Sequence, residues 1–392
     1  MAGDDTPGFI VMEENGIPVA ITEPGSHYQA PIFTFEPLVT MKEDPSREES
    51  LLSRPSPLFH IGSNNRYYVP DYRANDIAVF DSDGIFLNRL GRQGDGPGEF
   101  RALRLQNIRN NEITIFDFQH QRTTFLDLDG TLIDILRSPT GGMMIGMERG
   151  PGGVFLLHGV VGRDEGDIGY SSRKITIATA DGDTIAEVMT DQVMSSMLSR
   201  IEVSPGTFST LSQSIPYGAN PSILHVYERG LLAYDGENPE LIWYDYQGNV
   251  TMVVRTGLER RPITASVRSN FIERQRQARA ERARERGTDP QPLPDYPFPE
   301  FCGLFEWGMI DDEGWAWLTD VWASWEDPDE DGYTFHVISD EGRYMGTAEL
   351  PDDRFNIQQG RLMCVVEDPE TGAMVPTVFS IIPNVPGVVY PR

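Results

Sequence analysis

Six side chains recur at one point of a repeating pattern and are the first candidates for chemistry: Asp71, Asp117, His158, Asp235, Asp320 and Glu367. Each stands at the end of an apolar run. Five carboxylates and an imidazole gathered round one axis would hold a divalent cation or a cationic ligand. Short carboxylates at strand ends have a plainer use, accepting backbone N–H groups from their own turn, and recurrence in every clear copy is what that role predicts. His158 departs from the pattern, which marks it as a candidate binding residue. A second acidic group, Asp327, Asp329 and Asp331, sits in Asp327-Pro328-Asp329-Glu330-Asp331-Gly332. Three carboxylates at alternate positions before a turning Gly form the first half of a calcium loop, and calcium is the one cofactor the sequence suggests. Ile338 stands where the bidentate Glu belongs, so an acidic, solvated hairpin tip is the alternative.

The other chemistry-bearing residues are scattered. The six histidines form no His-x-x-x-His or Cys/His cluster, and Cys302 and Cys364 lie too far apart for a zinc pattern. Both cysteines sit in apolar strand contexts and read as buried thiols, with a bridge between neighbouring repeats as the oxidised alternative. Gly91-Arg92-Gln93-Gly94-Asp95-Gly96-Pro97-Gly98-Glu99-Phe100 is glycine-rich but lacks the Lys-Ser/Thr ending of a phosphate cradle and opens no helix. Nucleophile elbows and dinucleotide fingerprints are missing too. Trp322, Trp325 and Tyr333 fall in an inserted loop with no packing duty set by the pattern, and are read as an exposed aromatic binding patch.

Charge excludes one class of partner. Sixty acidic residues oppose 32 basic ones, for a formal net charge of -28, and such a field repels phosphate backbones, so nucleic acid is not expected. The only lysines are Lys42 and Lys174. No apolar run is long enough for a transmembrane segment. The start, Met1-Ala2-Gly3-Asp4-Asp5, shows neither a basic nor an apolar leader region. The chain is read as periplasmic or extracellular with its leader absent; a cytoplasmic protein is the alternative.

The elements that must position these residues follow from a phrase repeated three times. Val69-Pro70-Asp71 leads to Val79-Phe80-Asp81 and Gly84, Ile115-Phe116-Asp117 to Phe125-Leu126-Asp127-Leu128-Asp129-Gly130, and Ala233-Tyr234-Asp235 to Trp243-Tyr244-Asp245 and Gly248. Two strands joined by a polar turn, then a tight Gly turn into a third, describe a repeated antiparallel sheet. Residues 16–24 form an isolated strand, read as completing the last repeat and closing the ring, and 25–55 a long connection. Repeats are assigned to 56–100, 101–140, 141–190, 221–257, 298–352 and 353–384, all within one domain, 1–392. The segment 258–297 carries an Arg-rich stretch ended by Gly287 and Pro290, and reads as a helix inserted between the fourth and fifth repeats.

The run from Tyr68 to Phe100, its copy around Asp117 and the Gly-x-Gly-Pro-Gly-Glu-Phe loop resemble the bacterial NHL-repeat six-bladed β-propellers. The resemblance implies an all-β six-bladed propeller closed by an N-terminal strand in the last blade. It leaves activity open, since such propellers include protein- and RNA-binding modules, sugar lactonases and lyases. Amidating lyases of this fold place several channel-facing histidines on a metal, and His60, His158, His225 and His336 come from four separate repeats. The first reading is a non-enzymatic scaffold that binds a protein, peptide or glycan through its long inter-strand loops. The alternative is a metal-dependent lactonase or lyase with its site at the central channel.

Overall fold

A computed structural model describes residues 8–137, 144–165, 168–204, 207–290, 292–326 and 332–391. Its strands form six blades, each built on a four-stranded antiparallel sheet. Blade 1 holds His60–Ile61, Tyr67–Asp71, Asp76–Phe80 and Phe86–Leu90; blade 2 holds Leu103–Arg109, Glu112–Asp117, Arg122–Asp127 and Leu132–Arg137. Blade 3 holds Gly146–Arg149, Phe155–Glu165, Ile168–Ala178 and Thr184–Met189; blade 4 holds Ser222–Val226, Gly230–Tyr234, Glu240–Tyr244 and Val250–Arg255. Blade 5 holds Phe305–Ile310, Ala316–Asp320, Tyr333–Ile338 and Tyr344–Leu350. Blade 6 takes three strands from the C-terminal region, Phe355–Gln358, Arg361–Glu367 and Met374–Pro383, and its fourth, Phe33–Thr40, from the N-terminal region. The chain is a six-bladed β-propeller.

Side-chain alternation explains why such sheets must form a ring. Ile77 and Val79 point one way, into a core shared with Leu105, Ile113 and Ile115 of blade 2. Their neighbours Ala78 and Phe80 point the other way, into a core shared with Met363 and Val378 of blade 6. Each strand pair thus fills two wedges, one on either side, as the two-residue period of a strand requires. Similar apolar wedges separate the remaining neighbours, and the hydrophobic interior is divided among the blade interfaces. Hydrogen bonds from Asn356 to the Phe59 carbonyl at 3.0 Å, and from the Ile61 amide to Gln358 at 3.2 Å, join blade 6 to blade 1.

The closing strand is not the one expected. Phe33–Thr40 falls inside the segment read as a connection, and it pairs antiparallel with Met374–Pro383 from Phe33↔Pro383 to Thr40↔Thr377. Pro37 obscured it, but an outermost strand has a free edge where a missing N–H costs nothing, and the register shifts just after it. Residues 16–24 instead supply Ile17–Thr22, which lies parallel to Val250–Arg255 on the outer edge of blade 4. Phe9–Glu14 folds back on it through Asn15-Gly16, both at positive φ, and the two strands form a hairpin. Arg255 fastens the addition, holding Glu14 at 2.7 and 3.0 Å and Glu240 at 2.7 Å.

Because neighbouring strands run antiparallel, the turns between second and third strands emerge at the same end as the blade-to-blade connections. Every large insertion uses one of those two positions, so all of them stand on one face of the disc. In blade 3 the middle strands run on past the sheet as a hairpin, pairing from Phe155↔Ala178 out to Glu165↔Ile168. The link to blade 4 adds Val193–Ser204 and Thr207–Ser214 to the edge of that hairpin. The inserted helix, Ala265–Arg286, has Thr264 as its N-cap and Gly287 in the left-handed region as its C-cap.

Candidate functional site

The repeated carboxylates are clamps. Asp71 accepts backbone N–H groups from Ser53 at 2.8 Å, Arg54 at 3.1 Å, Arg73 at 3.1 Å and Ala74 at 3.3 Å. Asp117 does the same for Arg101 (3.1 Å), Ala102 (3.2 Å), Gln119 (3.2 Å) and His120 (3.3 Å). Each buried carboxylate ties the incoming connection to the turn that leaves its own strand. Asp235 accepts from Glu237 and Asn238, and Asp320 from Trp322 and Ala323. Glu367 stands exposed at the end of its strand.

His158 has no such duty, because its strand does not turn there but continues into the long hairpin. Its Nε2 meets Glu148 Oε1 at 2.8 Å. Glu148 is buried on the innermost strand of blade 3, and its other oxygen takes Asn107 of blade 2 at 2.9 Å and His225 Nδ1 of blade 4 at 3.0 Å. His225 Nε2 in turn lies 2.8 Å from the Tyr246 hydroxyl. Burial works to raise the Glu148 pKa, but attraction and hydrogen bonds from His225 and His158 outweigh it and hold the carboxyl well below its ordinary range. Three blades therefore converge on one buried carboxylate beside the axis.

A cleft of about 440 Å³ opens above this cluster. Arg104 and Phe118 of blade 2 form one side, His158, Arg173 and Lys174 of blade 3 another, and Ser222 of blade 4 and Trp307 of blade 5 complete it. Innermost strands of three blades contribute, which places the cleft at the axial mouth, and it opens on the face that carries the insertions. Lys174 is paired with Glu187 at 2.5 Å. Arg104 and Arg173 have no carboxylate partner among the described residues. Arg173 is anchored through Nε to the Pro221 carbonyl at 3.1 Å, and burial lowers its pKa.

The other predicted site residues lie elsewhere. Trp322 and Trp325 do not form an exposed patch with Tyr333. They are half-buried around Tyr217, each ring 5.9 Å from its ring, in an aromatic cluster with Phe271 of the inserted helix. The helix needs an apolar seat, and these indoles supply it; Arg274 then reaches the Trp325 carbonyl at 2.8 Å and Glu326 at 3.2 Å. Tyr333 is 38% exposed. Asp327, Asp329 and Asp331 lie outside the described residues. His60 and His336 do not join His158: His60 bonds Asn356 at 3.0 Å, and burial pushes its pKa down to about 4, while His336 meets Tyr344 at 3.0 Å. Both cysteines are buried free thiols, and burial pushes Cys302 up to about 12. Arg104, Arg173, Glu148 and Trp307 escaped the sequence reading. The one available signal was Arg173-Lys174, an adjacent basic pair opening a strand of a lysine-poor, acidic chain.

Residues 34–140 match a family model described as a 6-bladed beta-propeller. No curated protein matches the chain. Among solved structures it is similar to a candidate exported protein of Bacteroides fragilis, at 11% identity over 91% of this chain and 98% of that one, with a TM-score of 0.49. Regucalcin of Agrobacterium tumefaciens, described as calcium-binding, shows 12% identity over 90% and 97% of the two chains, with a TM-score of 0.38. An inactive virginiamycin B lyase of Staphylococcus aureus, solved with quinupristin, shows 13% identity over 89% and 100%, with a TM-score of 0.38. At that distance the likenesses say nothing of chemistry.

Proposed function

We propose that the protein is an extracytoplasmic binding module that seats its ligand, a peptide or glycan segment, in the axial cleft of the elaborated face. One observation carries this reading: the clamp position of the repeat is given over to a histidine where the cleft lies, and all the large insertions rise on the same face. A cleft of about 440 Å³ suits a small molecule or the end of a chain, not a folded domain. Gly159 lines it, and a Cβ there would meet nothing closer than 3.9 Å, so the backbone admits a side chain at this point and Gly159→Trp is expected to obstruct the cleft. Thermal-shift titration with short peptides and oligosaccharides should reveal ligands that stabilise the native chain and lose their effect in Gly159→Trp. Ligands that stabilise both proteins equally would refute the assignment of the cleft.

The metal-dependent lactonase or lyase reading has one observation in its favour, the Glu148 carboxylate flanked by His158 and His225. Metal content after purification in calcium and zinc separates the readings. A stoichiometric ion lost in His158→Ala would support the enzyme.

A further inference from the structure

The cleft is a cationic spot on a protein of net charge -28. Three of its lining residues are basic, in a chain with nearly twice as many acidic residues as basic ones. Lys174 is already neutralised by Glu187, but the guanidinium groups of Arg104 and Arg173 find no carboxylate among the described residues. Surface arginines of so acidic a protein readily find acidic neighbours: Arg255, Arg149 and Arg101 are all paired. Arg173 is also partly withdrawn from water, where an uncompensated cation is unfavourable.

The rest of the cleft is built for a ligand with an apolar side. Phe118 lies beneath the Arg104 guanidinium, 5.9 Å from ring centre to Cζ, and Trp307 faces in from blade 5. Below Ser222, the Tyr234 hydroxyl is buried in a residue only 2% exposed, with the Ser222 side chain as a hydrogen-bonding neighbour. Both Arg173 and Glu306 act electrostatically on this phenol, and burial raises the Glu306 carboxyl above its ordinary range.

Resting on the binding reading above, we infer that the cleft takes a small carboxylate-bearing ligand, its anionic group held by Arg104 and Arg173 and its apolar face lying against Phe118 and Trp307. Planar guanidinium forks match a carboxylate in geometry as well as charge. The carboxylate can come from a peptide C-terminus or from a uronic-acid sugar.

Calorimetric titration of the full chain with four probes distinguishes these sources: acetyl-Gly-Phe as free acid and as amide, and digalacturonic acid and its methyl ester. One acid is expected to bind at least about tenfold more tightly than its neutral counterpart, with affinity falling as sodium chloride rises. Arg104→Gln and Arg173→Gln should each weaken that acid about tenfold or more. Circular dichroism checks that the variants fold, and if Arg173→Gln does not, the exposed Arg104 still provides the test. Equal binding of acid and neutral forms, no effect of Arg104→Gln, or no binding of either acid would each overturn the inference. A neutral probe that binds as tightly as its acid and is lost in Gly159→Trp would overturn the anion assignment while leaving the binding module standing.

Discussion

Blades 2 and 3 are neighbours built on the same pattern, and they differ at one point that matters. In blade 2 the second strand ends at Asp117, which gathers four backbone N–H groups and fastens the preceding connection. In blade 3 the corresponding residue is His158, the strand runs on, and the side chain turns to Glu148 beside the axis. Where a repeat keeps its clamp, the carboxylate is consumed by its own backbone. In blade 3, where a histidine takes the clamp's place, its side chain turns toward the centre of the ring and lines the cleft.

The largest effect should come from removing a kept clamp. Asp117→Ala strands several N–H groups around a fully buried carboxylate, and is expected to cost roughly 3 kcal/mol or more in urea unfolding. A loss below about 1 kcal/mol would mean that water replaces the clamp freely.

Next comes the buried carboxylate that His158 meets in blade 3. Glu148→Gln breaks a buried charged network and should cost about 2–3 kcal/mol at neutral pH. The native pKa of Glu148 is depressed, so its contribution is complete above the unfolded value of 4.5 and is lost as pH falls through the lower folded value. Wild type and Glu148→Gln should therefore differ most near neutrality and converge in acid. A difference that grows on acidification would show the sign to be wrong.

A third change tests whether position alone makes a clamp. His158→Asp restores the repeat's residue, but no turn follows it and the new carboxylate faces Glu148, so about 1–2 kcal/mol should be lost. A gain in stability would mean that blade 3 can still turn like blade 2.

The smallest effect belongs to Lys174→Ala. Its ion pair with Glu187 is partly exposed, and stability should change by less than about 1 kcal/mol by thermal unfolding. A larger loss would make Lys174 part of the blade's framework rather than of its cleft.

Legibility in the sequence follows the range of each interaction. Asp71, Asp117 and Gly84 announce strands and turns because a strand's alternation and a turn's residue needs are settled within a few positions. The inserted helix was legible for the same reason, through its polar run and Gly287. Phe33–Thr40 was hidden by Pro37, whose usual meaning changes on an outer edge, and that edge is known only once the ring is closed. Trp322 and Trp325 looked unemployed because their partners, Tyr217 and Phe271, lie far away in the chain.

The sequence by itself therefore determined a repeated antiparallel unit, its number, its acidic surface and the backbone duty of its recurrent Asp residues. Tertiary structure alone decided which strand closes the ring, and that Arg104, Arg173 and Trp307 meet over Glu148. The reason is physical: alternation and turn chemistry act between near neighbours, whereas a cleft at an axis exists only where distant segments are held at one point by the packing of every blade against the next.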